Sequence, residues 1–136
     1  MSYILNIESS STNCSVSLSK NGQLISVMEK NDEKYSHSTK LHSYINEVIS
    51  DSSITLKELS AIAVSKGPGS YTGLRIGVAA AKGLCFSLDI PLISVSTLLV
   101  LSKQIKINSG LIIPVLDARR NEVYSAIYNV NYNLVK

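Results

Sequence analysis

The sequence predicts an α/β fold, a mixed sheet that starts as a three-stranded antiparallel meander and carries helices on its faces. Three observations predict it. Two period-2 segments flank Asn21-Gly22 near the start of the chain. Short apolar runs at Ala61–Ser65 and Leu92–Val95 have the length of buried strands. Segments with helical periodicity lie between and after them, and a meander followed by alternating helices and strands packs as helices against one sheet.

Tyr3 to Glu8 reads as the first strand. From Cys14 to Ser19, the residues Cys14, Val16 and Leu18 share one face, the period of a half-buried strand. Asn21 and Gly22 both tolerate positive φ, which predicts a tight hairpin, with Leu24 to Met28 returning antiparallel. Between Ser36 and Ser50 the period changes: Leu41, Ile45, Val48 and Ile49 fall on one helical arc, opposite Ser43, Asn46, Glu47 and Ser50. Ser36 is the expected N-cap. Thr55-Leu56-Lys57-Glu58 has the form of a capping box and predicts a helical turn.

Ala61–Ser65 reads as a central strand, broken by Gly67-Pro68-Gly69-Ser70. A second helix is predicted from Tyr71 to Leu88, stopping ahead of Pro91. Leu92–Val95 is the next strand and Thr97–Lys106 the next helix. Leu111–Leu116 and Glu122–Val130 are the expected last strands, separated by Asp117–Asn121, with a turn at Asn131–Asn133. Both faces of the final strand are half-apolar, and such a strand makes a hazardous exposed edge. The expectation is therefore a single lobe over residues 1–136, cut or lost from a longer protein after its first lobe.

Composition excludes several function classes. With 45% hydrophobic and 17% charged residues the chain can bury a core, which argues against disorder. A net charge of +3 is too small to mark a nucleic-acid binder, and no basic patch with interleaved aromatics is present. No apolar run is long enough to span a membrane. The stretch Met1–Ser11 lacks the basic region of a secretory signal. Two distant cysteines, Cys14 and Cys85, read as buried thiols rather than a disulfide framework, which predicts a cytoplasmic protein.

Three segments are candidates for chemistry. Glu8, Ser10 and Thr12 lie in or beside a hydroxyl-rich turn after the first strand, where a carboxylate and hydroxyls suit a metal-bound phosphate. That turn has no glycine to let backbone N–H groups approach an anion, and a polar β-turn is the plainer reading. Gly67, Gly69 and Ser70 belong to a loop between a buried strand and a helix N-terminus. It reads equally well as an anion site or as a tight turn that packs the helix against the sheet. It lacks the spacing of a Walker motif.

The third segment is the Tyr71–Leu88 helix, apolar almost all round. Leu74, Val78, Ala81 and Cys85 are expected to face the sheet, beside a small-residue stripe of Gly73, Gly77, Ala80 and Leu84. A second apolar strip of Ile76, Ala79, Gly83 and Phe86, flanked by Tyr71, Thr72, Arg75 and Lys82, is then left for a partner, in preference to a helix sandwiched within the lobe. His37 and His42 are five residues apart, on different sides of a helix, and do not form a metal pair.

Ile4–Ser11, Lys66–Gly77, Val95–Leu98 and Asp117–Tyr124 together resemble the TsaB (YeaZ) family of subunits in bacterial threonylcarbamoyladenosine synthesis. The family usually carries Asp where Glu8 stands. The resemblance implies an actin-like ATPase, ribonuclease-H-like lobe. It also implies a non-catalytic role: pairing with a TsaD-type paralogue that transfers threonylcarbamoyl to adenosine 37 of ANN-decoding tRNAs, alongside a TsaE-type ATPase. ATP and the metal then belong to the partner subunits, no cofactor is held tightly by this chain, and the chain alone forms a homodimer. The alternative is an active ATP-dependent phosphotransferase or ATPase lobe. A metalloprotease reading, suggested by older family labels, finds no support in the histidine spacing.

Overall fold

The computed structural model describes residues 2–31 and 37–136. β1 (Tyr3–Glu8), β2 (Asn13–Lys20) and β3 (Gln23–Asn31) form the expected antiparallel meander. Its second turn places Asn21 at φ 51° and Gly22 at φ 82°, the backbone that this residue pair favours. β4 (Leu59–Gly67) pairs parallel with β1, and β5 (Leu92–Ser96) pairs parallel with β4. The strand order is β3-β2-β1-β4-β5, the ribonuclease-H-like arrangement.

The inward residues of the strands follow the predicted alternation. Leu5 faces Leu18 and Ile7 faces Val16 across the β1–β2 ladder, and Ile62 and Val64 continue that face on β4. Two helices cover it. α1 (His37–Asp51) contributes Leu41, Tyr44, Ile45, Val48 and Ile49 to the buried core. α2 (Tyr71–Leu88) contributes Ala81 and Cys85. The expected N-cap Ser36 and the side chain of His37 lie outside the described residues. The capping box closes a 3-10 turn at Leu56–Glu58, where the Thr55 amide donates to the Glu58 carboxylate at 2.7 Å.

On the opposite face of the sheet the strands present Asn6, Ser15, Ser17 and Ser65 to a groove of about 380 Å³ that Val100 and Gln104 also line. Asn6 Nδ2 donates to Ser17 Oγ at 3.2 Å, a cross-strand polar pair on this wetter side.

α2 ends as expected. Asp89 caps it with φ 55°, and the Ile90 amide returns to the Cys85 carbonyl at 3.1 Å. Its rotation agrees with the expectation only in part. The face buried on the sheet is Gly73, Gly77, Ala81 and Cys85, whereas Leu74 and Val78 are only half-buried. Ala81 and Cys85 thus face the sheet as expected, and Gly73 and Gly77 of the small-residue stripe join them and let the helix sit close, while Ala80 and Leu84 of that stripe are half-buried.

Three further boundaries differ. α3 covers Thr97–Ser102 only. Ser102 Oγ donates to the Leu99 carbonyl at 2.7 Å, and Gln104 and Ile105 make three-residue-back bonds that close the last turn instead of extending the helix. β6 is Val115–Arg119 rather than Leu111–Leu116, because Pro114 has no N–H to give a ladder. It runs through most of the predicted loop: Arg119, Arg120 and Asn121 turn the chain with φ 66°, 57° and 61°, and the Arg119 amide donates to Asp117 Oδ1 at 2.8 Å. β7 is Glu122–Ser125, shorter than predicted. Beyond it Tyr128 bridges Ile112 on one side and Leu134 on the other, so the tail folds back on the segment expected as an edge.

β6 and β7 form a separate two-stranded sheet. Leu98, Ile112 and Tyr128 make a second, smaller buried cluster beside it.

Candidate functional site

Two features stand where the candidate residues fall, a cleft and the outer face of α2. The cleft has a volume of about 540 Å³. One wall is the β1–β2 turn with Ser10, Ser11 and Thr12, and a second is the start of α2 with Gly69, Ser70, Tyr71 and Thr72. The β6–β7 hairpin supplies the third, through Leu116, Asp117, Ala118, Arg119 and Tyr124. Four of the six residues singled out for cofactor chemistry, Ser10, Thr12, Gly69 and Ser70, thus meet at one place.

The other two do not line the cleft. Gly67 has φ 115°, open to glycine, and a side chain there would lie 3.3 Å from Leu74 Cδ1. Glu8 lines the groove on the far face of the sheet. Its Oε1 accepts from the Ser10 amide at 2.9 Å and from the Ser10 hydroxyl, and its Oε2 accepts from the Ser65 hydroxyl. The carboxylate is therefore used within the fold.

The loop before α2 is held just as closely. The Ser70 amide donates to the Ser10 carbonyl at 2.7 Å. A Cβ on Gly69 would collide with that carbonyl and sit 2.7 Å from Ser10 Cβ. Ser70 Oγ accepts from the Gly73 amide at 3.3 Å, which makes it the N-cap of α2. Both open readings of this loop thus have a physical basis: it is a tight turn, and it faces a cavity.

The outer face of α2 carries Tyr71, Thr72, Arg75, Ala79, Lys82, Gly83 and Phe86, all exposed. Phe86 is 92% exposed and Tyr71 74%. The Arg75 guanidinium lies over the Tyr71 ring, 5.3 Å from its centre. A shallow groove of about 400 Å³ runs along Tyr71, Leu74, Val78 and Ala79, and Arg75 and Lys82 also line it. Ile76 departs from the expected strip: it is half-buried and packs at the edge of the main core.

Sequence reasoning missed Ser9 and Ser65, which hold the turn from beneath. It also gave no site role to Asp117, Arg119 and Tyr124. No local pattern marks a serine as buried; only the hydrophobic strand to which Ser65 belongs hints at it.

Both cysteines are free and buried, and burial pushes both thiols up from their ordinary range. At Cys85 a backbone hydrogen bond at Ile62 works in the opposite direction. Among the described residues no group of three or more His, Cys, Asp or Glu is placed to hold a metal ion, and no described helix is long and apolar enough to cross a membrane.

The sheet order and the helices packed on it define a ribonuclease-H-like α/β lobe. A family model described as TsaD, tRNA N6-adenosine threonylcarbamoyltransferase, matches residues 31–135. Among curated proteins the chain is similar to the tRNA threonylcarbamoyladenosine biosynthesis protein TsaB of Bacillus subtilis, 43% identical over 76% of this chain and 45% of that one. It is also 39% identical to the TsaB of Buchnera aphidicola from Acyrthosiphon pisum, over 97% of this chain and 60% of that one. Among solved structures it is similar to YeaZ from Pseudomonas aeruginosa, with a TM-score of 0.88 and 28% identity over 98% of this chain and 63% of that one. The chain belongs to the TsaB (YeaZ) family. It spans 45% and 60% of the length of these two curated relatives.

Proposed function

We propose that the chain serves threonylcarbamoyladenosine synthesis in tRNA as a non-catalytic partner subunit in the cytoplasm. It docks on a TsaD-type paralogue that acts on adenosine 37, in a machinery completed by a TsaE-type ATPase. The observation that carries this reading is the strip on α2, where Phe86 is 92% exposed beside Ala79 and Tyr71 on a helix whose other side is already buried. Covering such a strip returns roughly 25 cal/mol per Å² before the cost of association. Arg75 and Lys82, which alternate with Tyr71, Ala79 and Phe86 along the same exposed face, suit a partner with facing carboxylates. The TsaB names of the relatives supply the process.

Glu8 supports the non-catalytic part, because both of its oxygens accept hydrogen bonds from Ser10 and Ser65. ATP and the metal then belong to the partner subunits, and the chain alone forms a homodimer through the same strip. The cleft of about 540 Å³ favours a second reading, an ATP-dependent phosphotransferase or ATPase lobe.

Co-purification with the paralogue, and tRNA modification assayed with each subunit omitted, test the first reading. Loss of both capture and modification in Ala79→Glu is expected; a variant that still binds and supports modification overturns it. Calorimetry with Mg-ATP separates the second reading: micromolar affinity of the chain alone would favour it.

A further inference from the structure

Hydrophobicity alone would bury Leu74 and Val78 of α2 deepest, yet both are only half-buried and Gly73 and Gly77 lie closer to the sheet beside Ala81 and Cys85. A directional contact therefore adjusts the rotation that apolar preference sets. On a helix that is apolar almost all round, apolar contact sets the angle about the helix axis only loosely, whereas a hydrogen bond sets it closely. Ser9 supplies that bond. It is 1% exposed, and its Oγ donates to the Gly73 carbonyl at 2.7 Å. It also occupies the space in front of Gly77, where a Cβ would collide with Ser9 Oγ and lie 3.2 Å from Ser9 Cβ.

The neighbours of Ser9 are anchored in turn. Glu8 holds Ser10 on one side and Ser65 of β4 on the other, and the Ser10 carbonyl takes the Ser70 amide at 2.7 Å. Three consecutive residues thus direct carboxylate, hydroxyl and carbonyl to β4, to α2 and to the loop before it.

We infer that Glu8-Ser9-Ser10 is a latch that fixes the rotation of α2 on the sheet, and that Ser9 is a positioning residue for the strip of Tyr71, Ala79 and Phe86 on the opposite side of the helix. The docking half of this inference rests on the proposed reading. Neighbouring helical positions are about 100° apart, so a rotation that buried Leu74 in place of Gly73 would swing the whole strip out of line with its partner.

The test uses the full chain with Ser9→Ala, and Ile112→Ala in the separate Leu98–Tyr128 cluster as a control for lost stability. Hydrogen exchange of the α2 amides and affinity for the paralogue are both read. Ser9→Ala is expected to speed exchange from Gly73 to Ala81, and to weaken paralogue binding, by about tenfold each. Ile112→Ala should leave the ratio of α2 exchange to global exchange, and the affinity, unchanged. Should Ser9→Ala not fold, Gly77→Ala, which pushes Ser9 aside but keeps its hydroxyl, is read in the same way. Unchanged α2 exchange overturns the latch. Faster exchange with unaltered affinity overturns the positioning role. Ala79→Glu distinguishes that result from failure of the docking reading itself, which is lost only if this variant also binds normally.

Discussion

Ser65, near the end of β4, donates its hydroxyl to the carboxylate of Glu8 at the end of the neighbouring parallel strand β1. The same carboxylate accepts from the Ser10 amide and hydroxyl. Ser65 is 5% exposed, so removing the acceptor leaves a buried hydroxyl without this partner. Glu8→Ala should lower the unfolding free energy by about 2–3 kcal/mol, and Glu8→Gln by about 1 kcal/mol, because the amide keeps one acceptor oxygen. Urea titration of the variants checks the order; equal stability of all three proteins would mean the contacts contribute nothing net.

The two buried thiols set an alkaline limit. Burial raises both above the ordinary value of 9.0, so the unfolded chain gives up these protons at lower pH than the folded one. Their contribution to stability is complete below that ordinary value and is lost as the pH rises from there through the folded values. A steeper alkaline loss is expected in the native protein than in a Cys14→Ala, Cys85→Ala variant, measured by chemical unfolding from about pH 8 to pH 11. At neutral pH a thiol reagent should modify both cysteines only as fast as the chain opens.

Phe86 and Ala79 should matter to association and not to folding. Phe86→Ser and Ala79→Glu change exposed positions, so each should shift stability by no more than about 0.5 kcal/mol. Light scattering should show the native chain as a dimer and both variants as monomers. A native chain that is monomeric at all concentrations, or dimers that survive both changes, would place the contact elsewhere.

Thr97 opens α3 with a hydroxyl that is buried and, among the described residues, has no hydrogen-bond partner. Thr97→Val keeps the shape and removes the unpaired polar atom. It should raise stability by about 1 kcal/mol. A loss of that size would show that the hydroxyl has a partner in solution, such as a bound water.

Most of the main sheet and its two large helices could be read from residue patterns. The alternation of Cys14, Val16 and Leu18, the Asn21-Gly22 turn, and the bounds of α2 from Tyr71 to Leu88 are local properties, set by side-chain period and by turn and cap chemistry. The short final strands were less legible, because Pro114 and the three positive-φ residues at Arg119–Asn121 act through ladder geometry rather than through periodicity. Of the candidate site, the residue types and the exposed strip on α2 were visible in the chain. Which residues would meet was decided only by the tertiary structure. It sent Glu8 to the far groove, brought Arg119 and Tyr124 to the cleft, and turned Ile76 inward. The physical reason is that on a helix apolar almost all round, as α2 is, hydrophobic periodicity constrains rotation weakly, whereas one directional contact, Ser9 to the Gly73 carbonyl, comes from a residue 64 positions away.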